Sequence, residues 1–329
     1  MDTKRIMFAL GTDPCTRGTQ QMASVPATPS TSALGVISMD IKIAHSIFAM
    51  PFALLASFMA ASFENSIDWN RFAWQLLVIV LAMVFARTAA MLANRILDRN
   101  IDADNPRTAG RALPSGRLTL GTAMSALAIA SGGFIATCLV FGLAWGNWWP
   151  LVLCLPVLGW ITSYGLFKRF SSLCHLWLGT SLGISPVAAA IAIDPASLGE
   201  PSIWLIAGMV TCWVSGFDII YALQDEAVDR EAGLHSIPAR LGTDGALWVS
   251  RLLHLAAIAC LVMAGVLSSR FGLLFMIGVG IVGLTLAYEQ FTVRRWGMSR
   301  IAMAFFTCNG IISCVLGGLG IADIIINAG

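Results

Sequence analysis

The sequence predicts an all-α, polytopic membrane protein of about nine transmembrane helices. Three observations predict it: a composition too apolar for a water-facing surface, apolar runs recurring at bilayer length, and basic residues that alternate between successive connections. Of 329 residues, 57% are hydrophobic and 12% are charged, and the mean hydropathy is +0.79. A soluble domain carries roughly 25% charged residues because water must wet its surface, so this chain is matched to lipid. A net charge of +2 is too small to imply a nucleic-acid partner.

Residues 1–35 are rich in Thr, Ser, Pro and Ala and hold no apolar core of a signal peptide. They read as a disordered cytoplasmic tail, with the transmembrane domain occupying 36–329 and Met39 opening its ordered pattern. Apolar runs then follow at about 36–62, 72–97, 119–144, 147–166, 172–194, 202–224, 245–269, 271–289 and 301–326. Each is near the roughly 20 residues that cross a hydrocarbon core. Backbone groups in lipid must be satisfied within their own element, so these runs are helices. Pro51, Pro156 and Pro186 fall inside spans and are expected to kink them. Gly146 to Trp149 leaves only a tight turn between the third and fourth.

Charge supplies the orientation. The even connections hold Arg95, Arg99, Arg107, Arg111, Arg117, Lys168, Arg169, Arg230, Arg240, Arg294, Arg295 and Arg300. The odd ones hold only Arg71 and Arg270, beside Glu64, Asp68, Asp194 and Glu200. Twelve basic residues against two place the even connections, with Lys4, Arg5 and Arg17 of the tail, on the cytoplasmic side of the inner membrane. The cysteines form no C-x-x-C pair, seven of the eight lie in apolar segments, and His45, His175, His235 and His254 are far apart. Neither a zinc site nor a disulfide framework is indicated.

Two even connections carry unusual chemistry. The second helix ends N-R-I-L-D-R-N-I-D, which sets Asn94, Asp98 and Asp102 four residues apart on one helical face. The sixth ends F-D-I-I-Y-A-L-Q-D-E-A-V-D, with Asp225 and Asp229 four apart and Asp218 deeper in the apolar run. Like charges at that spacing repel, and carboxylates near a bilayer are costly, so the two stripes call for a positive partner. Mg²⁺ suits them, because it takes hard oxygen ligands and is commonly shared with substrate phosphates. The implied partner is a phosphorylated molecule with a lipid-soluble remainder. For a single Asp, solvation beside a neighbouring arginine is the simpler reading; two such sets at one membrane face favour a site. Arg107, Arg111 and Arg117, then Lys168 and Arg169 just beyond Tyr164, offer phosphate or carboxylate grips, although topology alone calls for basic residues there. Lys42 and Arg87 lie inside apolar spans and are pocket candidates.

The first motif, continued by N-P-R-T-A-G-R-A-L-P-S-G, and Y-A-L-Q-D-E-A-V-D-R-E-A-G-L-H-S-I-P-A-R-L-G resemble the paired signatures of the UbiA superfamily of intramembrane aromatic prenyltransferases. The resemblance runs from about Asp40 to the C-terminus and implies a nine-helix bundle. By it, Asn94, Asp98 and Asp102 match the first aspartate-rich motif and Asp225 and Asp229 the second, both holding Mg²⁺ against a polyprenyl diphosphate. Asp98 and Asp225 become the catalytic carboxylates. Arg107, Arg111, Lys168, Arg169, Tyr164 and Asp218 become substrate contacts, with Arg169 or Arg111 clamping the acceptor's carboxylate and Asp218 or Tyr164 assisting proton removal. Arg95 stands where many members carry a second acidic residue, leaving the first motif fewer carboxylates. The branch that prenylates 4-hydroxybenzoate for ubiquinone is the nearest in flavour, and a dihydroxynaphthoate of menaquinone biosynthesis is the alternative acceptor. From another class, a non-enzymatic lipid or ion transporter would put its ionisable groups at the midplane on broken helices, rather than gathered at one face.

Overall fold

The computed structural model describes residues 32, 35–37, 48–63, 67–297, 301 and 304–327. Every regular element among them is helical. In order these are α1 (Met50–Ala61), α2 (Trp69–Asp104), α3 (Leu120–Trp145), α4 (Trp149–Phe167), α5 (Cys174–Ile193), α6 (Pro201–Ala222), α7 (Glu226–Glu231), α8 (Ile237–Leu267), α9 (Leu273–Trp296) and α10 (Asn309–Asn327). Eight helices among the described residues are long and apolar enough to span a bilayer, α6 and α7 counting as one, and α1 is a ninth, shorter apolar helix. The architecture is the predicted one. The tail, Lys42, His45 and Arg300 lie outside the described residues.

The boundaries differ where the site chemistry sits. α2 continues past the expected end at 97 to Asp104, so Asn94, Asp98 and Asp102 share one uninterrupted helix. The second stripe does not. α6 stops at Ala222, a 3-10 turn covers Leu223–Asp225, and α7 then begins, so Asp225 and Asp229 straddle a junction. Pro51 falls in the first turn of α1, where a missing N–H leaves no bond unmade, and it does not kink a described helix. Pro156 and Pro186 do lie inside α4 and α5. α8 begins at Ile237 instead of 245, capped by the Ser236 side chain, and Gly242 breaks its early turns with φ 68° and ψ 177°.

Outside the bundle, Leu143 (71% exposed) and Leu284 (74%) would be a liability in water; against lipid tails they cost nothing. Lipid also removes the hydrophobic drive that packs helices in water, so close approach of backbones has to supply it. The α5–α6 pair shows how. A Cβ at Gly179 would lie 2.1 Å from Ser215 Oγ and 2.4 Å from the Thr211 carbonyl, and one at Gly183 would lie 2.1 Å from Thr211 Oγ1. This glycine stripe draws α5 onto α6 in one register. The largest apolar cluster, containing Phe52, Trp213, Leu261, Phe275 and Leu316, then knits α1, α6, α8, α9 and α10 together. Trp213 stacks edge-on to Phe52 at 5.5 Å and donates its indole N–H to Asn309 Oδ1 at 3.0 Å.

Candidate active site

The ends of α2, α4 and α6 and the starts of α5 and α8 lie at one end of the bundle, and all the motif residues gather there. Asp98 and Asp102 are 2% and 4% exposed, a severe environment for carboxylates without partners. Each has one. Lys168 Nζ, just past α4, lies 2.8 Å from Asp98 Oδ2. Arg111 Nη1, from the loop after α2, lies 2.7 Å from both oxygens of Asp102. The second stripe is treated alike: Arg107 engages Asp225 through Nε at 2.8 Å and through a closer Nη2 contact to Oδ2. Asn105 adds an amide donor to Asp225 Oδ1 at 3.0 Å.

These pairs join the two stripes, because the segment that ends α2 is what binds Asp225. Arg107 feels Asp102 as well as Asp225, Asp225 feels Arg111, and Asp229 feels Lys168. Ser236 stands beside Asp229, and the His235 N–H donates to the Lys168 carbonyl at 2.7 Å, folding the segment after α7 over the same cations. Desolvation alone would lower the pKa of Arg107, but its hydrogen bond to Asp225 and the charge of that carboxylate outweigh it and raise the guanidinium above its ordinary range.

Arg169 is turned differently. Its Nη2 donates to the Leu97 carbonyl at 2.6 Å and stays 3.7 Å from Asp98 Oδ1. That oxygen is buried with no hydrogen-bond partner. Asn94 packs against Gly165, where even a methyl group would lie 2.6 Å from Asn94 Oδ1. Further in, an apolar cavity of about 360 Å³ opens among α2, α3, α4 and α5, with Ile79, Phe141 and Leu182 among its walls. Arg87 and Tyr164 also line it, and Arg87 Nε is buried without a partner. The charges that bear on Tyr164 are Arg95, Asp98, Arg87 and Asp218, so this ring stands between the carboxylate end and the cavity. A larger hollow of about 870 Å³, edged by Asp68, Arg71, Asn147 and Asp194, lies at the opposite end and holds no motif residue.

Among the described residues no three His, Cys, Asp or Glu side chains form a ready-made metal cluster. The donor set nevertheless suits a divalent cation: hard carboxylate and amide oxygens, and at Asp98 Oδ1 a buried anionic oxygen with an open valence. A cation there would share carboxylates now held by Lys168, Arg111 and Arg107. Asn105, Gly165 and His175, which bonds Asp218, escaped the sequence reading.

The profile of the UbiA prenyltransferase family matches residues 49–311. The chain belongs to the UbiA prenyltransferase family. Among curated relatives, the 4-hydroxybenzoate octaprenyltransferase of Shewanella denitrificans is 31% identical over 67% of this chain and 71% of its own. That of Saccharophagus degradans is 30% identical over 77% and 82%. A solved UbiA homolog from Aeropyrum pernix K1 shares 32% identity, covers 86% of this chain and 98% of its own, and superposes with a TM-score of 0.73. The UbiA homolog from Archaeoglobus fulgidus bound to DMAPP and Mg²⁺ has the same fold, with a TM-score of 0.64 at 16% identity over 88% of this chain and 99% of its own.

Proposed function

We propose that this UbiA-family protein transfers a polyprenyl group from a polyprenyl diphosphate to an aromatic acid, 4-hydroxybenzoate, at the cytoplasmic face of the inner membrane. One observation carries the reading: two carboxylate sets, interleaved with Lys168, Arg107 and Arg111, cap an apolar cavity. Such a mouth suits a molecule with a diphosphate head and a hydrocarbon tail. The curated relatives' names support the acceptor, and the ligands of the Archaeoglobus fulgidus homolog support a prenyl diphosphate with Mg²⁺. Twelve basic residues against two favour a cytoplasmic site.

In this reading Asn94, Asp98, Asp102, Asp225 and Asp229 hold Mg²⁺, which supplies charge neutralisation at the departing diphosphate. Lys168, Arg107 and Arg111 grip the diphosphate oxygens as negative charge builds there, and this preorganised field is where the protein lowers the barrier. The allylic C–O bond breaks with its electron pair staying on the diphosphate. The apolar walls keep water from the resulting carbocation. The ring carbon ortho to the acceptor's hydroxyl forms the new C–C bond, and Asp218 takes the ring proton, so that the C–H electron pair restores aromaticity.

The acceptor's carboxylate needs a cation beyond those assigned to the diphosphate. Arg111 is one of that group, and Arg169 donates to the Leu97 carbonyl while standing 3.7 Å from Asp98, which favours a cation other than the two the sequence suggested. Arg87, facing the cavity with an unpartnered Nε, takes that role instead.

Membranes containing the protein, supplied with radiolabelled prenyl diphosphate, Mg²⁺ and either 4-hydroxybenzoate or a dihydroxynaphthoate, test the proposal. Prenylated 4-hydroxybenzoate is the expected product. Transfer only to the naphthoate would reassign the acceptor, and transfer to neither would overturn the enzymatic reading.

A further inference from the structure

His175 plays no part in the mechanism above, yet both of its ring nitrogens are engaged beside the site. It is the second residue of α5 and is 4% exposed. Its Nδ1 lies 2.7 Å from Asp218 Oδ2 on α6, and its Nε2 lies 3.2 Å from the backbone N–H of Ile237, the first residue of α8. A backbone N–H can only donate, so Nε2 is the acceptor and bears no proton. Nδ1 therefore carries the ring proton and donates it to Asp218. One imidazole thus fixes its own tautomer on α8 and spends its single donor on the Asp218 carboxylate.

The register of this contact is built into the helix pair. His175, Gly179 and Gly183 follow one another at four-residue spacing on α5. The two glycines let α5 descend onto Thr211 and Ser215 of α6, and Asp218 stands at the end of that same α6 face. Asp218 Oδ2 is occupied by His175, and no other hydrogen bond to this carboxylate is found among the described residues. The carboxylate is 23% exposed, and it bears electrostatically on Tyr164 at the mouth of the cavity.

We infer that His175 is the positioning residue of the transfer reaction: it holds Asp218 by Oδ2 and leaves Oδ1 free to take the ring proton. The inference rests on the function proposed above. It assigns His175 no contact with substrate; the bond broken and the bond formed are those already given, and the proton ends on Asp218 Oδ1.

The test is a double-mutant cycle in membranes, with kcat and the two KM values measured for wild type, H175A, D218N and the double variant. H175A is expected to lower kcat about 10- to 100-fold, the range spanned by one hydrogen bond to a charged group, with both KM values within about threefold. In the D218N background H175A should cost less than about twofold, since its effect passes through the missing carboxylate. H175N, whose Nδ2 falls close to the place of Nδ1, should recover kcat to within about threefold of wild type by restoring the same donor. Equal losses in both backgrounds, or H175N no better than H175A, would overturn the inference and leave His175 a mere strut between helices. If H175A fails to accumulate, H175N decides alone: a kcat about tenfold below wild type sinks the idea. A wild type that transfers no prenyl group fails earlier and separately, and it counts against the proposed function instead.

Discussion

Gly165→Ala is the smallest change that should separate the site's chemistry from the fold's stability. The added methyl would sit 2.6 Å from Asn94 Oδ1, 3.5 Å from its Cγ and 3.7 Å from its Cα. An ordinary carbon–oxygen contact is about 3.3 Å, so the amide oxygen must retreat by about 0.7 Å while the backbone around it need not move. Only the tip of one side chain is displaced, and the helices still meet. The detergent-solubilised protein should therefore melt within about 2 °C of wild type, as expected for a change of a few tenths of a kcal/mol.

Activity should respond quite differently. If Asn94 contributes an oxygen beside Asp98, moving it weakens the cation site as loss of a supporting group does, by about 10- to 100-fold in affinity, or about 1.4–2.7 kcal/mol. The assay is prenyl transfer in membranes as a function of Mg²⁺ concentration, with the half-saturating concentration as the readout. Gly159→Ala is the matched control, because on the same helix no atom lies within 4 Å of the added methyl. Gly159→Ala should titrate like wild type and Gly165→Ala should need at least tenfold more Mg²⁺. Superimposable titrations would remove Asn94 from the ion site, and with it the claim that the first stripe acts as a set of three.

Three other predictions follow from the same geometry. Asp98→Ala and Asp225→Ala should each cut transfer by about a hundred- to a thousandfold, the scale of losing electrostatic stabilisation at a developing charge, while amounts of membrane-inserted protein, read by immunoblot after alkaline extraction, stay comparable. Arg87→Gln should raise KM for the aromatic acid at least about tenfold, as expected of a lost charge-assisted bond, and leave KM for the prenyl diphosphate unchanged; a shift in the donor's KM instead would move Arg87 out of the acceptor pocket. Binding of prenyl diphosphate and of Mg²⁺ should be mutually reinforcing by about 5- to 150-fold, measured by titrating each in the presence and absence of the other, and independent affinities would contradict a shared site.

The fold was legible because a bilayer imposes few solutions. Length, composition and the arginine alternation sufficed to anticipate the eight spans and the shorter α1 found among the described residues, since these constraints do not depend on which side chain meets which. Helix ends at the site were less legible. Hydropathy placed the end of α2 at 97 because the next residues are charged, yet Asp98 and Asp102 are buried against partners and the helix runs on to Asp104. The 3-10 turn at Leu223–Asp225 was invisible for a related reason: nothing in Y-A-L-Q-D-E forbids a continuous helix, and tertiary contacts decide. The His175–Asp218 bond joins residues 43 apart in sequence. Its only trace was the His175–Gly179–Gly183 spacing, which reads as small-residue packing until the partner helix is in place.

The site's cations were harder to read than its carboxylates, and the reason is physical. An arginine just inside the cytoplasmic boundary satisfies the topology rule whether or not it does chemistry, so only the neighbouring motifs set Arg107, Arg111, Lys168 and Arg169 apart from Arg294 and Arg295 in sequence. Structure separates them by what they face. Arg107, Arg111 and Lys168 each meet one buried or half-buried carboxylate, whereas Arg294 and Arg295 lie exposed at the end of α9. Each of Asp98, Asp102 and Asp225 has a cation in contact, with Arg169 a second neighbour of Asp98, so their charges are balanced before any ligand arrives. A diphosphate alone would leave such a site with excess negative charge, and a divalent cation alone with excess positive charge; either excess is costly in a weakly screened environment beside the bilayer. Arriving together, each offsets the other, and the arginines can turn from carboxylate to phosphate without leaving a charge unpaired. Charge balance at rest therefore accounts both for carboxylates surviving at 2–4% exposure and for a site that should admit its two ionic ligands as a pair.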